Sequence, residues 1–184
     1  NYVNSTQAVT VNLSTGTATA GSAGTDSLSG IENIIGSTGS DILTGDAGAN
    51  TILGDKGNDT IVGGLGDDTL DGGIGTDIVS YAAASGGVSV DLTAGTASGA
   101  DGNDTLASFE SITGSAFDDT LVGSTATNAL VGGAGNDVID AGAGNDYLRG
   151  DAGDDVLIGG AGTDEAIYST ATSGVNVDLV AGTA

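Results

Sequence analysis

GGLGDDTLD (Gly63 to Asp71) and GGIGTDIVS (Gly72 to Ser80) lie end to end and share one nine-residue pattern, G-G-x-G-x-D-x-U-x with U apolar. Each part of that unit has a physical role. The glycines let the backbone turn through positive φ and bring carbonyls close together. The Asp supplies a hard anionic oxygen, and the lone apolar residue, Leu70 or Val79, is placed to enter a core. The unit divides into a six-residue turn and a three-residue strand such as Thr69-Leu70-Asp71.

The same frame extends outward in both directions. Units starting at Gly36, Gly45 and Gly54 precede the pair without a gap, and a second run begins at Gly114 and ends at Ile167. The sixth position reads Asp41, Asn50, Asp59, Asp68, Asp77, then Asp119, Asn128, Asp137, Asp146, Asp155, Asp164. The eighth reads Leu43, Ile52, Ile61, Leu70, Val79, then Leu121, Leu130, Ile139, Leu148, Leu157, Ala166. Self-similarity at a fixed short period is the signature of a repeat architecture. Two further units, Gly21 to Ser29 and Gly99 to Ala107, carry Asp26 and Asp104, and six-residue links follow them: GIENII from Gly30 and SFESIT from Ser108.

A longer period overlies the short one. Segments YVNSTQAVTVNLSTGTA, YAAASGGVSVDLTAGTA and YSTATSGVNVDLVAGTA start at Tyr2, Tyr81 and Tyr168, spaced by 79 and 87 residues. The chain therefore divides into an irregular Tyr coil (1–20), a first repeat block (21–80), a second Tyr coil (81–98), a second block (99–167) and the start of a third supra-repeat (168–184). It reads as a window from a longer array. Tyr2–Ala20 and Tyr81–Ser98 are each close to one 18-residue coil, which predicts a continuous solenoid.

Composition narrows the function. With 25 acidic residues against two basic ones (Lys56 and Arg149) the net charge is −23, which excludes nucleic acid and disfavours anionic membrane surfaces. No apolar stretch reaches membrane-spanning length. Six aromatics, 35 glycines and no Trp or Met leave little bulk for a core. Ordering that much glycine costs backbone entropy, and like charges stacked in every coil would repel. A divalent cation in each turn offsets both, so metal binding and folding are expected to be one process.

Two nonapeptides make one flattened coil, and coils stack as parallel strands ~4.8 Å apart. An ion between successive turns is then shared by residues 18 apart: Asp41/Asp59, Asp59/Asp77, Asp119/Asp137, Asp137/Asp155 and Asp146/Asp164. Asn50 and Asn128 keep an oxygen and lose a charge, so their sites with Asp68 and Asp146 should be weaker. The expected donors also include turn glycines: Gly54, Gly57, Gly63, Gly64, Gly66, Gly72, Gly73 and Gly75 in the first block. In the second they are Gly132, Gly133, Gly135, Gly142, Gly144, Gly150, Gly153, Gly159, Gly160 and Gly162. All-oxygen donors in flexible loops suit Ca2+, which takes six to eight oxygens in loose geometry, better than Mg2+. Zinc and copper favour His or Cys, and the chain has neither.

These nonapeptides resemble the RTX (hemolysin-type) calcium-binding repeat family. The resemblance implies an all-β, right-handed parallel β-roll of stacked 18-residue coils. It further implies multiple Ca2+ ions held by turn carbonyls and the sixth-position Asp, and export by a one-step (type I) system to the cell exterior. Extracellular modules bind calcium at about 10⁻⁴–10⁻³ M, which would leave the turns empty in cytosol.

The tandem supra-repeat builds length rather than a pocket. A calcium-stiffened structural segment of a secreted bacterial surface protein is therefore the leading expectation: an adhesin stalk, surface-layer protein or extracellular fibre, with self-assembly or surface glycans as partners. The alternatives are an export-and-folding module of a secreted protease, lipase or epimerase, and a glycan- or ice-binding face drawn from Thr51, Thr60 and Thr69. Catalysis is not expected. Tyr81 and Tyr168 should plug the core of a calcium-poor coil; Ile31, Ile34, Ile35 and Ile112 read as core. Asp91 and Asp178 should face solvent, and fifth-position Asp67 and Asp154 should point away from any ion.

Overall fold

A three-residue strand can bury only its middle side chain, because successive side chains alternate across a sheet. That rule shapes most of the nonapeptide rungs. The structure, a computed structural model, describes residues 6–21 and 24–170. Leu43, Ile52, Ile61, Leu70, Val79, Leu121, Leu130, Ile139 and Leu148 each sit mid-strand or at the matching phase, and all are buried. Their flanking residues face outward or are half-buried.

The chain is an all-β parallel solenoid of two sheets. Side by side in the first lie Thr25–Ser27, Thr17–Ala20, Val9–Asn12, Ile42–Thr44, Thr60–Val62, Ile78–Ser80, Ser111–Thr113, Ala129–Ala134, Tyr147–Ala152 and Glu165–Ala166. The second holds Asn33–Ile35, Thr51–Leu53, Thr69–Asp71, Gly102–Ala107, Thr96–Gly99, Val88–Asp91, Thr120–Ser124, Val138–Gly144 and Val156–Ile158. The short strand Ala161–Gly162 pairs beside Val138–Gly144. Successive nonapeptides alternate between sheets, so neighbours within a sheet differ by 18 residues, as in Ile42↔Thr60 and Thr51↔Thr69.

The solenoid is not parallel throughout. Val9–Asn12 and Thr17–Ala20 form an antiparallel hairpin, as do Val88–Asp91 and Thr96–Gly99. Thr25–Ser27 and Gly102–Ala107 fold back as the third strands of these meanders. The expected single coil at Tyr81–Ser98 is therefore a chain reversal. The signal for it is local: Gly95 at φ +69° and Gly16 at φ +66° close four-residue loops between alternating strands. The second meander is joined to parallel neighbours on both sides, Val88–Asp91 to Thr120–Ser124 and Gly102–Ala107 to Thr69–Asp71, and the first is joined to one, Val9–Asn12 to Ile42–Thr44.

Two expectations about the core change. Ile34 and Ile112 are buried, while Ile31 is 41% exposed and Ile35 37%. Ile35 occupies the outward phase of its strand, and Ile31 precedes it in the link. Tyr81 enters the core, whereas Tyr168 is 44% exposed. Tyr2 and Asp178 lie outside the described residues.

Candidate metal centre

Each nonapeptide of the two runs begins with a turn whose sixth residue immediately precedes the strand. Asp41, Asp59, Asp68, Asp77, Asp104, Asp119, Asp137 and Asp146 are buried, as are Asn50 and Asn128. Asp155 and Asp164 are half-buried. The turns stack so that one carboxylate oxygen accepts the N–H of the sixth residue in the preceding coil. Asp41 N–H donates to Asp59 Oδ1 at 2.7 Å, and Asp59 N–H to Asp77 Oδ1 at 2.7 Å. Asn50 reaches Asp68, Asp119 reaches Asp137, Asp137 reaches Asp155, Asn128 reaches Asp146 and Asp146 reaches Asp164 in the same way. All the residue pairs expected from the 18-residue spacing are thus brought together.

The second oxygen separates two kinds of turn. Oδ2 of Asp59, Asp68, Asp77, Asp137 and Asp146 is buried with no hydrogen-bond partner. In Asp41 and Asp119 it is taken: the N–H of Ser37 or Ser115 donates to it, and the serine hydroxyl donates to Oδ1. Val9 and Val88 N–H also donate to those Oδ1 atoms. Asn50 accepts from Asp46 N–H at 2.8 Å and Asn128 from Ser124 N–H at 2.7 Å. Asp104 Oδ2 accepts from the Tyr81 hydroxyl at 2.7 Å.

Outside the turn of Asp104, the second residue decides between the two. Gly64 (φ +103°), Gly73 (+96°), Gly133 (+120°) and Gly142 (+93°) adopt a left-handed conformation in the turns of Asp68, Asp77, Asp137 and Asp146. Asp55 does the same at φ +79° in the turn of Asp59. Ser37, Asp46, Ser115 and Ser124 do not, and their amides swing inward onto the sixth residue. Gly160 and Asp151 follow the open pattern before Asp164 and Asp155, and fourth-position Gly57, Gly66, Gly135, Gly144, Gly153 and Gly162 are also at positive φ. First-position glycines serve closeness: a Cβ on Gly54, Gly63, Gly72, Gly132, Gly150 or Gly159 would collide with the carboxylate of its own turn. At Gly54 it would also strike Gly72 O of the next coil, so Asp59 Oδ2 faces that carbonyl. Gly75 has no left-handed backbone and packs against Gly57 of the preceding coil.

Burial raises the carboxyls of Asp59, Asp68 and Asp137 to about 6, opposed by the amide hydrogen bond and reinforced by neighbouring carboxylates. Asp77 and Asp104 are raised for the same first reason. The Tyr81 phenol is pushed up by burial and by the Asp104 charge. Among the described residues no three carboxylates converge on one point, so a bound ion would have to draw on carbonyl oxygens as well. Buried, unpartnered, negatively charged oxygens facing carbonyls are a donor set that fits a hard divalent cation.

The fifth position also holds a chain of contacts, one not anticipated from sequence. Asn58 Oδ1 accepts from Thr76 N–H, Asp67 Oδ1 from Asn103 N–H and Asp118 Oδ1 from Asn136 N–H. Asn136 then accepts from Asp154 N–H and Asn145 from Thr163 N–H. These bonds run from the later coil back to the earlier one, opposite to the sixth-position bonds, and tie the turns together at the exposed surface. Polar residues at that phase of the repeat were the available signal. Asp91 accepts from Ala94 N–H and closes its hairpin loop.

The threonine row is rearranged. Thr51, Thr69 and Thr105 adjoin in the second sheet, whereas Thr60 sits in the first between Ile42 and Ile78.

The RTX calcium-binding nonapeptide repeat family matches this chain in four copies, at residues 26–61, 45–79, 109–139 and 131–166. The chain belongs to that family of calcium-binding repeats. No curated protein matches it.

Proposed function

We propose that this is a calcium-folded structural segment of a secreted surface protein, in which Asp59, Asp68, Asp77, Asp137 and Asp146 hold ions between successive coils. The observation that carries it is the set of five buried Oδ2 atoms without partners. An unsatisfied buried polar atom costs about 1–3 kcal/mol, and more when charged. Five of them approach the roughly 5–15 kcal/mol that a whole domain has to spare. A cation at each supplies the missing partner and cancels the repulsion along the column. Half-buried Asp155 and Asp164, behind left-handed Asp151 and Gly160, would hold ions in the same way. Asp41, Asp104, Asp119, Asn50 and Asn128 are structural members whose oxygens are held by Ser37, Tyr81, Ser115, Asp46 and Ser124.

Calcium outside the cell would convert a flexible, export-competent chain into a stiff rod, consistent with a type I export route. Two meanders separated by a nonapeptide block favour a length-building element of a stalk, surface layer or fibre, with self-assembly or surface glycans as its contacts. Fractionation of producing cells tests the location: the parent protein is expected in the medium or on the surface. Confinement to the cytosol would contradict the proposal.

A further inference from the structure

The link Ser108–Thr113 is three residues shorter than a nonapeptide and contains no Asp. It nevertheless forms a full rung of the first sheet, pairing Ile112 with Val79 on one side and with Leu130 on the other. Its strand, Ser111–Thr113, leaves only Ser108, Phe109 and Glu110 for a turn that takes six residues elsewhere. Ser108 adopts φ +57° and Phe109 is buried. Glu110 then stands at the sixth-residue place, where its extra methylene offsets the shortened turn.

Two contacts establish that equivalence. Gly72 N–H donates to Ala107 O at 3.0 Å, as Gly54 N–H donates to Asp71 O at 2.9 Å in a regular coil. Ser108 is thereby the counterpart of a first-position glycine, and its carbonyl crowds Gly72 as the Gly72 carbonyl crowds Gly54. Asp77 N–H donates to Glu110 Oε2 at 2.9 Å, as Asp59 N–H does to Asp77 Oδ1. Asp77 is 0% exposed and its Oδ2 has no hydrogen-bond partner. A Cβ on Gly72 would lie 2.8 Å from that Oδ2 and would overlap Ser108 O, so the oxygen and the link carbonyl face one space.

We propose that Glu110 and the Ser108 carbonyl complete the cation site at Asp77, calcium by donor type, at a joint the nonapeptide pattern does not mark. The inference rests on the calcium reading above and names what closes the ion column at the last repeat of the first block. Asn128 ends that column: its amide donates to Glu110 O at 3.0 Å, and its oxygen is held by Ser124. Glu32 holds the matching place in the link Gly30–Ile35 and is exposed, which makes it a control.

Native mass spectrometry of the full chain, with calcium at a level that saturates the wild type, counts the ions. Glu110→Gln keeps an acceptor for Asp77 N–H and removes the charge, so a purely structural role would survive it. The variant is expected to carry one ion fewer than wild type, Glu32→Gln the same number, and both the wild-type circular dichroism. An unchanged count in Glu110→Gln overturns the inference. A wild-type chain that takes up no calcium overturns the underlying reading instead, a distinguishable result. Should Glu110→Gln fail to fold, anomalous density from wild-type crystals grown in calcium decides. A peak between the Asp77 and Glu110 carboxylates supports the site, and peaks elsewhere without one there overturn it.

Discussion

Asp59 and Asp119 occupy the same phase of the repeat, yet one has Asp55 at φ +79° before it and the other has Ser115 donating into its carboxylate. Their substitutions should therefore differ. Asp59→Asn is expected to lower the number of calcium ions bound, and Asp119→Asn to leave it unchanged, both read by titration calorimetry. Equal losses would contradict the distinction between open and closed turns. Tyr81→Phe removes the hydroxyl that donates to Asp104 Oδ2 in a buried setting. It should cost about 1–3 kcal/mol in urea unfolding of the calcium-loaded protein without changing the ion count. The raised carboxyls set a pH dependence. Asp59, Asp68 and Asp137 sit at about 6 in the metal-free fold, above the value near 4 of an unfolded chain. Their protonation stabilises that fold below about pH 4, and the benefit is lost as pH rises through 6. Metal-free protein should thus show more β-structure at pH 4 than at pH 7.5, and equal circular dichroism at both would contradict the assignment.

At the scale of strands and turns, the central apolar residue of each nonapeptide was legible because a fixed phase carried it, from Leu43 to Leu148. So was the 18-residue partnership of the acids, which follows from two units per coil. The hairpins were not, since Val88-Ser89-Val90-Asp91 reads as a strand in either direction and only Gly95 marks the reversal. Nor was the division of turns: Ser37 and Ser115 look like weakened glycines until their amides are seen to bond the sixth residue. Glu110 was hidden because a shorter turn and a longer side chain reach the same place. The hairpin loop gives a direct check. Gly95→Ala forces a left-handed alanine whose Cβ lies 2.8 Å from Leu106 O, and a loss of roughly 1–2 kcal/mol is expected from backbone strain alone. No loss of chemical stability in the calcium-loaded protein would mean that the reversal is placed elsewhere.

Across the whole molecule, parity controls where the irregular pieces fall. Five nonapeptides separate Gly36 from Tyr81, so the chain enters its second meander from the opposite side. The first meander accordingly joins the first sheet and the second joins the other. At the second, three strands (Gly102–Ala107, Thr96–Gly99 and Val88–Asp91) stand opposite the single strand Ser111–Thr113. Tyr81, Ala84 and Phe109 are buried there, providing bulk that the small nonapeptide cores lack. Between the meanders, single Leu, Ile or Val side chains per strand must hold together columns of buried carboxylates, which apolar burial of that size does not outweigh. Far-UV circular dichroism of the chain, first in excess chelator at pH 7.5 and then titrated with calcium to a few times the ~1 mM range of extracellular sites, addresses this most directly. The expected result is a disordered spectrum that converts cooperatively to β-structure as calcium is added. A β spectrum already complete in chelator and unmoved by calcium would contradict it.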